Sequence, residues 1–320
     1  MSGLCNLGNT CYLNSVVQCL CHTTELIDVL HSDEMDNLKK CEMGKLTKEI
    51  IGLMDLMLSG SNIISPKRFW KYFTSACQIK DMSYLSSYEQ CDAGETLQFI
   101  IECLHNSLSR QVTMKIQGNA ISNRDVIAKT CLEAHKRFFE REYSKIVEVF
   151  SGLKFDTINY SKPGKKVSHI CEPFTNLVLP IVNKINTHSS TLYDCFDEFG
   201  KNEQLESCSK YTRFWSFPDV LVITIARFNN QGTKKNNALV NFPICSLDLG
   251  KYCIGYNKNN IYDLYGTCNH NGSIQGGHYT SRCKIKRKWY CFNDTSVDEI
   301  KEEKIISSSV YILFYRRKEL

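Results

Sequence analysis

Cys11 ends the turn-like run Gly8-Asn9-Thr10 and begins Cys11-Tyr12-Leu13-Asn14-Ser15, where helical apolar spacing starts at once. Gly8, Asn9 and Thr10 read as a turn and helix cap. A thiol in the first helical turn meets the positive end of the helix dipole, which stabilises the thiolate, the nucleophilic form. Unpaired N–H groups at the same end can face a developing oxyanion. Alone, Cys11 is one of 17 cysteines, and burial as a small apolar group is the usual fate of such a residue. It needs a base. Gly276-Gly277-His278-Tyr279-Thr280 offers one, because two glycines allow close backbone approach and the histidine opens a strand with one ring edge exposed. The other seven histidines lack this setting and read as structural. Lys288-Trp289-Tyr290-Cys291-Phe292-Asn293-Asp294 follows. If strands 279–284 and 288–292 pair through the basic turn between them, Asn293 or Asp294 returns alongside His278. There it can accept the imidazole N–H and fix the tautomer. A plain turn after a strand is the competing reading of these two residues.

Cysteine, histidine and Asn/Asp in that order, far apart in sequence, fit a papain-like arrangement. The elements that must position them divide into halves. Leu13, Val16, Val17, Leu20, Ile27 and Leu30 recur at helical spacing, and Leu46, Ile50, Leu53, Met54 and Met57 make a second amphipathic segment. Pro66 suits a first helical turn ahead of Phe69, Trp70 and Phe73. Asp92 precedes a helix with Leu97, Ile100, Ile101 and Leu104, and another carries Val126, Ile127, Leu132, Phe138 and Phe139. Strands are predicted at 146–150, 177–182, 220–226, 262–267, 279–284, 288–292 and 310–315, rich in β-branched and aromatic residues. Helices first and strands later predict an α+β fold. Asn229-Asn230, Asn236-Asn237 and Asn257 to Asn260 read as loops; residues 183–191 and 200–212 are polar and read as mobile.

Composition excludes several classes. The net charge is only +5, and the clusters Lys162 to Lys166, Lys284 to Lys288 and Arg316 to Lys318 lack the aromatic interleaving of a nucleic-acid binder. No apolar run is long enough to span a bilayer, and the N-terminus lacks the pattern of a signal peptide. An intracellular protein, cytoplasmic or nuclear, with reduced thiols is expected, at most one or two of them reactive. No C-x-x-C pair announces a metal site.

The chain resembles the ubiquitin-specific proteases, cysteine peptidases of the C19 type. The opening segment looks like their Cys box and Gly276 to Asp294 like their His box. Gln90-Cys91-Asp92-Ala93-Gly94-Glu95 is similar to their short acidic motif. Pro218 to Phe228, ending in Arg-Phe, and Val240-Asn241-Phe242-Pro243 with Leu247-Asp248-Leu249 are also similar, in family order across nearly the whole chain. The resemblance implies a papain-like cysteine protease fold in a single catalytic domain over 1–320. It would have a helical thumb (about 1–140), reduced β fingers (141–215) and a β palm with the His box (216–320). It implies a deubiquitinase that hydrolyses the bond after the C-terminal glycine of ubiquitin through an acyl-enzyme. Cys11 would be the nucleophile and His278 the general base, with Asn293 orienting it and Asp294 sharing that role. Asn6 would donate to the oxyanion. Ubiquitin ends in Leu-Arg-Gly-Gly, and Asp92 and Glu95 would hold its arginines, although Asp92-x-x-Glu95 is also a good helix capping box. Gln90, Gly276, Gly277 and Tyr279 would complete the substrate site, and Asn271 to Gln275 would form a loop covering the tail.

Many family members hold a structural zinc in the fingers with two C-x-x-C pairs. Here only Cys171 and Cys208 stand in those regions, with His169 a poor third ligand, so neither zinc nor another cofactor is expected. The expected partners are ubiquitin and ubiquitinated proteins, with no nucleic acid and no membrane, engaged by a monomer that looks like a bare catalytic core. A non-catalytic ubiquitin-binding scaffold and a protease for another Gly-Gly modifier are the alternatives.

Overall fold

Two apolar periods build the molecule. The 3.6-residue period of the first half gives α1 (Cys11–Cys21), α2 (Thr24–Leu30), α3 (Glu42–Ser59), α4 (Lys67–Ile79), α5 (Ala93–Leu108), α6 (Asn123–Arg141) and α7 (Lys145–Phe150). The second half is mainly strands: β1 (Gly152–Tyr160), β2 (Ser168–Phe174), β3 (Leu177–Pro180) and β4 (Ser190–Thr191). After α8 (Leu192–Phe199) come β5 (Glu203–Gln204), β6 (Cys208–Ser216), β7 (Val220–Ala226), β8 (Val240–Asn241) and β9 (Leu247–Asp248). The chain closes with β10 (Ile261–Gly272), β11 (Gly277–Ile285), β12 (Lys288–Asn293), β13 (Ser296–Ile300) and β14 (Val310–Arg317). The computed structural model describes residues 1–319 except 61, 163, 166, 183–188, 230–233, 258 and 274–275. The expected loops at 183–191, 229–230, 257–260 and 271–275, and the basic cluster 162–166, therefore lie partly outside the described residues.

The main sheet runs β13-β12-β11-β10-β14-β7-β3, with β9 paired to β10. Its central strands are covered on both faces, as β14 makes plain. Ile312 and Phe314 enter the core shared with the helices, whereas Leu313 and Tyr315 enter a second core behind the sheet with Leu177, Phe196 and Tyr262. Helix α1 is buried along all eleven of its residues, packed on β10, β11 and α5. The helix that opens on Cys11 is thus held from every side. A smaller antiparallel sheet, β2-β1-β6-β5, packs α6 against Leu153, Phe155 and Trp215.

Several sequence expectations needed correction. Residues 146–150 form helix α7, not a strand: a short apolar run has no period long enough to decide, and packing on α5 does. The first helical segment is two helices, broken at His22-Thr23. Pro66 precedes α4 as its N-cap. In α6 the buried face is Ala128, Cys131 and Phe139, while Val126 and Leu132 are exposed. Segment 200–212 carries β5 and the start of β6.

Candidate active site

Asn6 folds the loop that presents Cys11. Its Oδ1 accepts from the N–H groups of Gly8 (3.1 Å) and Thr10 (2.9 Å). The turn this enforces has positive φ at Gly8 and Asn9, conformations suited to Gly and Asn. Thr10 occupies the N-cap position, yet its hydroxyl turns away and accepts from Leu7 N–H at 2.9 Å. The expected side-chain cap is therefore not made, and the first-turn N–H groups of α1 stay available beside the Cys11 thiol.

The thiol is buried, and the backbone N–H of Tyr279 at the start of β11 bonds to it. That contact brings the β11 backbone, one residue after His278, against the start of α1. His278 Nε2 lies 2.6 Å from Asn293 Oδ1. An amide oxygen can only accept, so Nε2 carries the proton and Nδ1 is the lone-pair nitrogen. The predicted hairpin accounts for this pairing. Strands β11 and β12 join through Lys286 and Arg287, both at positive φ. The register Ser281↔Phe292, carried one step on, sets Asn293 opposite Thr280, on the same face of β11 as His278. Burial pushes the Cys11 thiol above its ordinary range, the Tyr279 N–H pulls it down, and the Asp294 carboxylate pushes it up. Burial thus outweighs the helix end, and the net direction is upward.

Asp294 does not join Asn293 on the imidazole. Its Oδ2 accepts from Asn6 Nδ2 at 3.0 Å and its Oδ1 from Asn14 Nδ2 at 2.8 Å. Asn14 was not singled out in the sequence, although it lies one helical turn after Cys11, on the same face of α1. The chain's first residues hold Asp294 in place. Leu4 N–H donates to the Asp294 carbonyl at 2.8 Å. A Cβ at Gly3 would lie 2.3 Å from the Thr295 carbonyl oxygen. Gly3→Ala is expected to cost about 1–3 kcal/mol of stability and to lower kcat by shifting this turn; thermal unfolding and turnover of one preparation check both.

Of the other expected site residues, Gln90, Asp92 and Tyr279 line a cleft of about 250 Å³. Asp92 caps α5, with Oδ1 accepting from Glu95 N–H at 2.9 Å, while Oδ2 receives the Tyr311 hydroxyl at 2.5 Å. Glu95 does not reciprocate as in a capping box; its carboxylate takes the Tyr84 hydroxyl. Asp92 is half-buried and Glu95 exposed. Gln90 bonds the backbone of Gly277, and the Tyr279 ring packs on His270 with centroids 4.6 Å apart. Gly276 lies in open space. Asn271 and Gly272 belong to β10, paired with His278 and Gly277, and are therefore strand rather than loop.

His270, read as structural from sequence, lines this cleft with its Nδ1 unpartnered. Burial first, then the charges of Lys235 and His278, hold its imidazole down to about 4. The unfolded chain takes up that proton below about 6.5, and the folded one does not. The stability contributed above pH ~6.5 is therefore lost as pH falls from there toward 4, by on the order of 2 kcal/mol. Urea unfolding against pH, with the ring resonances of His270 followed by NMR, checks the sign.

Cys171 of β2 pairs opposite Phe155 and Cys208 of β6 opposite Tyr160, five positions apart along β1, or roughly 17 Å. His169 stacks on Phe155 with centroids 5.1 Å apart. Among the described residues no group of three or more His, Cys, Asp or Glu could hold a metal ion, and all 17 cysteines are free of disulfides. Three thiols meet beneath α1, where Cys19 lies 3.7 Å from Cys268 and 4.0 Å from Cys283. Among the described residues no helix is long and apolar enough to cross a membrane.

Comparison with known proteins places this geometry. Residues 2–315 match the family described as ubiquitin carboxyl-terminal hydrolase. The chain is 30% identical over 340 residues to ubiquitin carboxyl-terminal hydrolase 2 of Bos taurus, covering 98% of this chain and 55% of that protein. It is 32% identical over 351 residues to ubiquitin carboxyl-terminal hydrolase 21 of Homo sapiens, covering 98% of this chain and 61% of that protein. The chain thus spans about half to three fifths of the length of these relatives. Among solved structures it is similar to Ubp8 in the SAGA DUB module with Sgf11, Sus1 and Sgf73, bound to monoubiquitin. There the TM-score is 0.74 at 26% identity, covering 100% of this chain and 70% of that one. The same module bound to ubiquitin aldehyde gives a TM-score of 0.73 at 26% identity, covering 100% of this chain and 70% of that one.

Proposed function

The chain belongs to the ubiquitin carboxyl-terminal hydrolase family, among its ubiquitin-specific proteases, and from that premise we propose that it is a deubiquitinase cleaving the bond after the C-terminal glycine of ubiquitin. The observation that carries this reading is that the Cys11 thiol at the start of α1 meets the Tyr279 backbone of β11, one residue after His278, whose imidazole is paired with Asn293 of β12. His278 Nδ1 takes the Cys11 proton, and the sulfur attacks the glycine carbonyl carbon. The resulting oxyanion is received by the uncapped first-turn N–H groups of α1 and by the second Nδ2 hydrogen of Asn6. Collapse breaks the C–N bond, and His278 returns the proton to the departing amine. Water, deprotonated by His278, then cleaves the thioester. Asn293 keeps the proton on Nε2 throughout, and Asp294 holds Asn6 in the donating orientation.

The remaining assignments rest on the same premise. Asp92 and Glu95 meet the tail arginines by charge-assisted hydrogen bonds, with Gly276, Gly277 and Tyr279 along the tail. The helices to about residue 140 act as thumb, the small sheet as fingers and the main sheet as palm. Every proposed site residue comes from one chain, so a monomer suffices. Ubiquitin conjugates as substrates put the protein inside the cell, in cytoplasm or nucleus. No observation favours a scaffold or another modifier over this reading. The test is a ubiquitin derivative carrying a C-terminal electrophile: it should form one covalent adduct, at Cys11. Folded protein that stays unlabelled would sink the proposal.

A further inference from the structure

Gln90 crosses the cleft. The cleft is lined by Gln90, Asp92, Phe228, His270 and Tyr279, among others. Gln90 Oε1 accepts from Gly277 N–H at 2.7 Å, and Gln90 Nε2 donates to the Gly277 carbonyl. A primary amide can donate and accept at once, so it pairs with both polar groups of one residue as a neighbouring strand would. That carbonyl belongs to the peptide linking Gly277 to His278. Holding it sets the plane from which the His278 side chain departs. On the other side of Gly277, His270 Nε2 lies 2.1 Å from where a Cβ would stand. The residue before His278 is thus gripped between an amide and an imidazole, at the end of a hairpin where Gly272 is its cross-strand partner.

We propose that Gln90 is a positioning residue: its amide clamps Gly277 and thereby aims His278 at Cys11, rather than binding substrate. This rests on the Cys11–His278 assignment above. It takes the place of the substrate-binding role expected from sequence, because Gly277 engages both the oxygen and the nitrogen of the side chain and fixes its orientation, leaving one N–H and one lone pair.

Two readouts test it. On a ubiquitin C-terminal fluorophore, Gln90→Ala should lower kcat about 10- to 100-fold with KM little changed and the unfolding temperature unmoved. Without ubiquitin, iodoacetamide alkylation of Cys11, followed against pH by peptide mass spectrometry, should lose its low-pH limb as the imidazole drifts from the thiol. Gln90→Glu supplies the conservative variant. Its carboxylate accepts from Gly277 N–H but repels the carbonyl, and once protonated it can do both. Its alkylation deficit relative to wild type should therefore shrink below pH ~5. A raised KM with unchanged kcat and an unchanged alkylation profile would make Gln90 a substrate ligand and overturn the clamp. Unaltered kinetics in both variants would overturn it too. If wild type fails to turn over ubiquitin, the proposed function fails, while the alkylation profile still decides the clamp.

Discussion

His278→Ala is expected to lower kcat/KM on a ubiquitin C-terminal fluorophore by about a thousandfold or more, and Cys11→Ala to abolish turnover. The size follows from the resting state of the thiol. Burial raises the Cys11 pKa, which disfavours the thiolate and makes the reaction depend on a neighbouring base to remove the proton. A thiol already ionised by its helix end would lose far less with the histidine. The leaving amine needs His278 a second time, because an unprotonated alkylamide is a very poor leaving group. The two variants should differ in one respect. Cys11→Ala keeps the cleft and should still bind ubiquitin, whereas His278→Ala keeps the thiol and should still alkylate slowly at high pH. Turnover within tenfold of wild type for either variant would mean that the chemistry lies elsewhere.

Asp294→Ala should cost about 10²- to 10³-fold in kcat, more than Asn293→Ala. Asn293 makes one neutral hydrogen bond that fixes a tautomer. Asp294 orients two amides, Asn6 and Asn14, and its removal leaves Asn14 Nδ2, on a buried residue, with only a long 3.4 Å bond to the Cys5 carbonyl. Iodoacetamide separates the two roles, since displacement at its carbon generates no oxyanion. Asn293→Ala should slow alkylation of Cys11 as well as hydrolysis. Asp294→Ala should leave alkylation intact or faster, because the carboxylate raises the Cys11 pKa, while hydrolysis falls. Equal losses in both assays for Asp294→Ala would show that it serves the imidazole after all.

The contrast between these neighbours also marks how far the sequence could be read. Cys11, His278 and Asn293 could be proposed from sequence because each sits in a local pattern with a reason: a helix start, a glycine pair before a strand, a hairpin of fixed register. The division of labour between Asn293 and Asp294 was not, because it depends on Asn14 and on the first residues, which meet the 293–295 turn only in the fold. Tyr311 was read only as part of a terminal strand, and nothing local signals that its hydroxyl reaches Asp92. Helix α7 was mistaken for a strand because six residues are too few to show a period. The small sheet was partly missed because β1, β2 and β6 are half-exposed and polar, without the alternation that marks a strand over a core.

The clasp between the chain's opening segment and its closing hairpin has a consequence for biosynthesis. Asn6 and Asp294 are 288 residues apart, and Asn14 and Asp294 280. Contacts this distant are costly to close and form late. At about 5–20 residues per second, the nucleophile segment leaves the ribosome on the order of fifteen seconds to a minute before the residues that aim the base and the oxyanion donors. Until then the thiol sits in a helix with no partner sheet. The proposed hydrolysis would therefore be silent on nascent chains until the 293–295 turn has folded back onto the first residues.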